Sequence, residues 1–369
     1  MLLHLCLIVR AVAQAAAPAD SLDNYIAAEM AKQHIPSLSL AVVHNGKVVK
    51  MKAYGLANLE LNVPATQNSV YQLQSITKSF IACAIMLLVE DRKLGLDDRI
   101  TKYLSGLPQA WSDITVRQLL THTSGIPGFI QDQGGWQPMV AFGQTVSNSE
   151  EIVAWAAARP LKFAPGEGSR YSGTGYHLAG MIIEKVTGKP WGQFLNERIF
   201  ARLGMTSTRV ANYQDVIPNR ASGYDHFGDV PVNGYVFTPA YMESAAGGLV
   251  STAEDMAKWE IALENGTILK PAALAQMAVP VELKNDSIAQ DPDGTRHGLG
   301  WDLPTYQGHR IIAHGGDHVT GFTANFFHFL DDKLGIILLT NGMPVNIGDI
   351  TRTIAGFYIS ALPTKTGGP

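Results

Sequence analysis

Apolar positions fall into two rhythms along this chain, one short and strand-like near both ends, the other helical in the middle. Residues 39–44, Ser-Leu-Ala-Val-Val-His, and 47–52, Lys-Val-Val-Lys-Met-Lys, lie on either side of Asn45-Gly46. That pair tolerates the positive φ angles of a two-residue type I′ turn, so the segment predicts a β-hairpin. Toward the C-terminus, 310–314, 322–330 and 335–340 read as three more strands, with Asp331, Asp332 and Gly335 marking the last turn, and a closing helix follows over 347–359.

The interior is dominated by helical spacing. Asp20 or Ser21 can cap a helix carrying Leu22, Tyr25, Ile26 and Met30. The stretch 76–90 is apolar on nearly every face and stops before Gly95, which predicts a buried central helix. Further helices are expected over 116–121, 150–158, 175–187, 191–203 and 252–264. Strands from both ends and helices from the middle imply an α+β fold. Its antiparallel sheet is built from both chain ends and flanked by helices, with a mostly helical insert. The expected division is residues 20–74 with 285–369 as the sheet domain and 75–284 as the helical domain, with a cleft between them.

The first nineteen residues follow a different pattern. An apolar run from Met1 to Val9 is too short to span a bilayer and leads to Ala13-Gln14-Ala15, the small-x-small pattern of a signal-peptidase site. A basic start is missing. Residues 1–19 therefore read as a signal peptide with an atypical start, and the location as periplasmic or secreted. No other segment reads as membrane-spanning.

Composition narrows the classes. The chain has 369 residues, 46% hydrophobic and 16% charged, with net charge −4. This is a globular composition without the basic surplus that binds a phosphate backbone, so no nucleic-acid partner is expected. Its two cysteines, Cys6 and Cys83, exclude a disulfide scaffold and a cysteine-based zinc site. Cys83, on the apolar helix, reads as a small core residue. His297, His309, His314, His318 and His328 crowd the C-terminal region without a metal-ligand spacing, so no metal and no cofactor is expected.

Metalloprotease, P-loop, dinucleotide-binding and nucleophile-elbow motifs are absent. What remains is Ser75-Ile76-Thr77-Lys78 at the start of the apolar helix. A Ser and a Lys three apart share a helix face, and burial of the amine favours the neutral form that accepts the hydroxyl proton. Backbone N–H groups at the helix start can receive a developing oxyanion. The tetrapeptide is expected about once by chance, so its context matters. A Gly-rich loop from Pro165 presents Tyr171-Ser172-Gly173 just before a helix, and His314-Gly315-Gly316 ends a C-terminal strand.

The order Ser-x-x-Lys, Tyr-Ser-x, His-Gly-Gly resembles the serine β-lactamase and penicillin-binding-protein superfamily, in its class C-like branch of esterases and D-amino-acid peptidases. The resemblance runs from about Ser21 and includes Ala53-Tyr-Gly-Leu-Ala-Asn58, Leu119-Leu-Thr-His-Thr-Ser-Gly-Ile-Pro127, Ala246-Gly-Gly-Leu-Val-Ser-Thr252 and Gly298-Leu-Gly-Trp301. It implies that Ser75 is acylated, Lys78 takes its proton, and Tyr171 serves the leaving group and the deacylating water. It also implies an oxyanion hole from the backbone N–H groups of Ser75 and Asp317.

Two positions depart from the family pattern. Gly173 stands where an Asn usually contacts the substrate amide, and His314 stands where a Lys usually opens Lys-Thr-Gly. An imidazole grips a carboxylate less well than an ammonium. These departures favour a neutral ester or amide over a β-lactam carboxylate among the small-molecule substrates expected, so a carboxylesterase is the first expectation. A β-lactamase or D-amino-acid-specific peptidase is the second, and a non-catalytic binder of peptidoglycan-like ligands the third. His314, Gly315, Gly316, Gly173 and Trp301 are the expected substrate-binding residues. Tyr54 and Trp136 read as ordinary aromatics, Glu167 as a solvated loop carboxylate and His122 as a structural turn residue.

Overall fold

A computed structural model describes residues 21–211 and 214–364. The expected signal peptide lies outside the described residues. Seven strands form one antiparallel sheet: β1 (Ser37–His44), β2 (Lys47–Asn58), β3 (Val63–Pro64), β4 (Thr305–Tyr306), β5 (His309–His318), β6 (Phe322–Phe329) and β7 (Leu334–Thr340). Their order across the sheet is β3-β2-β1-β7-β6-β5-β4, so both chain ends meet at the central β1–β7 pair, with Ala41 opposite Ile337. The β1–β2 turn is the one Asn45-Gly46 requires, with φ of 52° and 69°.

Alternation along the strands divides the core in two. Ala41, Val43, Phe326, Ile337 and Leu339 join a cluster that includes the apolar helix α2 (Thr77–Glu90), whereas Leu40, Val42, Phe327, Phe329, Ile336 and Leu338 face the other way. That second face is covered by α1 (Ser21–Lys32), through Leu22 and Ile26, and by the terminal helix α5 (Ile347–Gly356), through Ile350 and Ile354. Because both faces are covered, the central strands are apolar at nearly every position.

Two other helices matter for the site. The helix α3 (Gly173–Thr187) is capped by Ser172, whose side chain accepts from Gly175 N, and closes on Gly188 at φ 69°. The helix α4 (Ala253–Glu264) packs against β1 and β7, and its Glu260 carboxylate pairs with His328 of β6. A division at residue 284 thus assigns to the helical part a helix that lies on the sheet.

Gly335 differs from its expected role as a turn residue. It lies inside β7, where a Cβ would stand 2.3 Å from the Glu260 carboxylate, and Lys333 at φ 49° makes the turn instead. The sequence pattern also passed over the helices Trp136–Thr145 and Pro271–Met277 and the hairpin of Tyr224–Phe227 with Val230–Asn233. Among the described residues, no helix is long and apolar enough to cross a membrane.

Candidate active site

Ser75 sits in a single 3-10 turn, Gln74–Ile76, that leads into α2. Gln74 adopts φ 50°, a left-handed backbone that sharpens the approach to the serine. Lys78, one turn on, points back so that its Nζ lies 2.9 Å from Ser75 Oγ and donates to the Ala246 carbonyl at 2.5 Å. The amine is fully buried. Burial holds it down at about 7, against a weaker upward pull from the Asp302 carboxylate.

Tyr171 immediately precedes the Ser172 cap of α3. Its hydroxyl is within hydrogen-bonding reach of Ser75, and its ring lies beneath Lys78 Nζ at 4.9 Å. Burial, aided by Asp302, Tyr176 and Asp317, pushes the phenol well above its usual range. At neutral pH Tyr171 is therefore a proton-bearing hydroxyl, and Lys78 is the group whose proton equilibrium lies near neutrality.

The long β5 strand brings His314, Gly315, Gly316 and Asp317 alongside. Gly316 is the point of closest approach, because a Cβ there would stand 2.4 Å from the Leu73 carbonyl and 3.0 Å from Ser75 N. Only glycine lets this strand lie directly against the backbone of the serine. His314 is buried, and its Nδ1 lies 2.7 Å from the Gly315 carbonyl. A carbonyl only accepts, so Nδ1 carries the proton and Nε2 is a free acceptor. Desolvation pushes the imidazole down to about 4, so it is neutral rather than partly charged.

An open cleft of about 400 Å³ lies in front of this group, lined by Ser75, Tyr171, His314, Gly315 and Asp317 among others. Three expected substrate contacts are not part of this lining, Gly316 because it lies against the serine turn. Trp301 is 2% exposed and packs on Phe326 at 5.4 Å between ring centroids, so it belongs to the core and not to the cleft wall. Gly173 is also absent from the lining. Its N–H donates to Gln131 Oε1 at 3.1 Å, and a Cβ there would meet Ile130, Phe129 and Gln131 at 3.3 to 3.5 Å. The space that an Asn side chain would enter is occupied by the loop carrying Gln131, which does line the cleft.

Behind Tyr171 lies a buried charge cluster that the sequence pattern did not reveal. His297 stands between Asp302, 2.9 Å from Nδ1, and Asp291, 3.2 Å from Nε2. Against the cost of burial, these two carboxylates raise the imidazole to about 9, making it an imidazolium at neutral pH. Asp291 also accepts from the backbone N–H of Tyr171 at 2.9 Å and from the Ser169 hydroxyl at 2.6 Å. Asp302 is fixed beside β5 by a reciprocal backbone pair with Ala313.

His122, at φ 59°, accepts from Ser172 N through Nδ1 and stacks on Tyr171 at 4.3 Å between ring centroids. It is a buried support for Tyr171, as its place in a turn suggested. Cys83 is buried in the core, and burial pushes its thiol up. Among the described residues no group of His, Cys, Asp and Glu is placed to hold a metal ion.

A serine hydroxyl beside a buried amine, with a protonated phenol at its other side, defines the acyl-transfer class of site. Sequence comparison agrees: residues 22–356 match the family described as Beta-lactamase, and the chain belongs to that family. It is 29% identical over 328 residues to penicillin-binding protein 4* of Bacillus subtilis (strain 168), spanning 85% of this chain and 69% of that protein. Among solved structures, it is similar to D-amino acid amidase from Ochrobactrum anthropi SV3 complexed with L-phenylalanine. That likeness has TM-score 0.80 and 29% identity, and covers 92% of this chain and 99% of the other. The octameric penicillin-binding protein homologue from Pyrococcus abyssi is matched at TM-score 0.79 and 29% identity, over 94% and 78% of the two chains. The fold is that of β-lactamases and transpeptidases, and the chain is a serine hydrolase of the β-lactamase family.

Proposed function

We propose that this protein hydrolyses a carboxylic ester or amide lacking an acidic group, through an acyl-enzyme on Ser75, with a carboxylesterase as the first reading. The observation that carries the proposal is the 2.9 Å contact between Ser75 Oγ and a Lys78 amine held near 7. The neutral amine takes the serine proton as Oγ attacks the acyl carbon. The carbonyl oxygen, now negative, is received by the backbone N–H groups of Ser75 and Asp317, a reading supported by the close approach of the neighbouring Gly316, where a Cβ would stand 3.0 Å from Ser75 N. Tyr171 passes a proton to the leaving group and is replenished from Lys78. Water then reverses the sequence: it gives a proton to the Tyr171–Lys78 pair, attacks the acyl carbon and releases the carboxylic acid and free Ser75.

Substrate choice follows from His314. A neutral, buried imidazole with a lone pair at Nε2 offers no positive charge to a substrate carboxylate. The anionic group of a β-lactam therefore lacks its usual anchor, and the site favours other acyl compounds. An amidase reading is supported by the likeness to the Ochrobactrum anthropi D-amino acid amidase, which extends over nearly the whole of that protein. The test is chromophore release from p-nitrophenyl butyrate. A burst followed by turnover, both lost in Ser75→Ala, supports the proposal, and no release above the Ser75→Ala background would overturn it.

A further inference from the structure

Six residues beyond Tyr171, the helix α3 carries a buried ring, His177, that the proposed chemistry does not use. Burial pushes this imidazole down to about 4, so it is neutral near pH 7. Its Nε2 lies 2.6 Å from Ser149 Oγ, and a hydrogen bond to the Ser149 backbone favours the protonated ring. A backbone carbonyl only accepts, so Nε2 carries the ring proton and Nδ1 is a lone pair.

That lone pair faces Ser244, whose Oγ is 3.0 Å from Nδ1. The hydroxyl donates to the ring, and its oxygen accepts from Ala246 N at 3.2 Å. Ser244 is buried, and its carbonyl also takes the N–H groups of Gly247 and Gly248, at 3.0 and 2.8 Å, so a tight loop closes around it. The far end of the loop is pinned to the serine turn. Leu249 N donates to Thr77 Oγ1 at 3.1 Å, and Leu73 N to the Leu249 carbonyl at 2.9 Å. Between these anchors sits the Ala246 carbonyl, which accepts from Lys78 at 2.5 Å.

We infer that His177 is a positioning residue for the base: through Ser244 it holds the Ala246 carbonyl where it takes an N–H of Lys78 and turns the amine lone pair toward Ser75 Oγ. A neutral amine has two N–H groups and one lone pair, and committing one N–H restricts where the lone pair can point. The helix α3 thereby governs both proton carriers, Tyr171 just ahead of it and Lys78 by way of His177. The inference rests on the reading of Lys78 as the acceptor of the Ser75 proton. The other groups facing Lys78 are the rings of Tyr171 and Tyr176, His122, His314 and Asp302. Among the described residues, none of these shares a hydrogen bond with His177 or Ser244, and the charged group facing His177 is Glu150.

Stopped-flow acylation by p-nitrophenyl butyrate, followed from about pH 5.5 to 9, tests this in Ser244→Ala, His177→Leu and His177→Asn. In the first two, the maximal acylation rate falls about tenfold with little change in the half-saturating ester concentration, because the lone pair is no longer aimed. The acid limb also moves down by about half a pH unit, since a displaced carbonyl no longer favours the charged amine. His177 is neutral over this range, so its loss removes no charge and the moved limb reports the carbonyl. In His177→Asn the Oδ1 atom stands in for Nδ1 and returns both rate and limb toward the parent. Ser244→Ala removes one oxygen atom only, and carries the test if His177→Leu does not fold. An acid limb unmoved in Ser244→Ala, or His177→Asn no better than His177→Leu, overturns the inference and leaves Ser75 and Lys78 in their roles. A parent that releases no more nitrophenolate than Ser75→Ala overturns both.

Discussion

Lys78 Nζ lies 2.9 Å from Ser75 Oγ, and among the described residues no carboxylate forms an ion pair with it; it also donates to the Ala246 carbonyl. A buried amine without a counter-ion loses its proton more easily than an exposed one, and here burial brings it to about 7. In the proposed mechanism the base is the neutral amine. Accordingly kcat/KM for p-nitrophenyl butyrate should be flat above about pH 7.5 and fall tenfold per pH unit well below 7. Lys78→Ala should lower the acylation rate by about 10³-fold or more and abolish this pH dependence. Stopped-flow release of nitrophenolate across the pH range checks both.

Tyr171→Phe keeps the ring that stacks on His122 and removes only the hydroxyl. Turnover should fall by about 10²–10⁴-fold. Deacylation, which needs a proton taken from water, should suffer more than attack by Ser75. The variant should therefore accumulate acyl-enzyme, visible as an initial burst followed by a slow steady state.

Gly316 separates β5 from the serine turn by less than a side chain. In Gly316→Ala the new methyl would stand 2.4 Å from the Leu73 carbonyl oxygen, so strand or turn must move. We expect about 10²-fold loss of kcat from misplaced oxyanion donors and a stability cost of about 1–3 kcal/mol. Gly315→Ala is the control, since a Cβ there meets nothing within 4 Å. Its melting temperature should stay close to that of the parent.

The His297 cluster makes a stability prediction. Its folded pKa is raised from 6.5 to about 9, so its contribution is complete below about pH 6.5 and lost as pH rises through 9. Lys78 acts oppositely, because its depressed value costs stability below the usual lysine range and that cost fades with rising pH. The two oppose each other in the parent, so the measurement is differential. The advantage of the parent over His297→Asn in urea unfolding should shrink by up to about 3 kcal/mol between pH 6 and pH 10. An advantage that grows over this range would reverse the charge assignment.

Local signals were readable from the chain alone. The Asn45-Gly46 turn depends on two residues, and the Ser75–Lys78 pairing on one helical turn, so neither needs distant information. Gly335 and Trp301 could not be placed that way. The first is a glycine because Glu260, seventy-five positions earlier, fills its side-chain space, and the second turns into the core against Phe326. Likewise Asp291 and Tyr171 meet across 120 positions of sequence. A run such as Asp291-Pro-Asp-Gly reads as a surface turn until tertiary packing delivers its first carboxylate to the back of the site. Gly173 was legible as a departure from the family pattern, but its consequence was not, because Gln131 reaches it from a separate loop.

Intact-mass spectrometry after brief mixing with an acylating ester, followed by peptide mapping, tests the central claim most directly. The account predicts a mass increase equal to the acyl group, located on the peptide containing Ser75, prolonged in Tyr171→Phe and absent in Ser75→Ala. An adduct retained in Ser75→Ala, or no adduct in Tyr171→Phe from an ester that the parent cleaves, would contradict it.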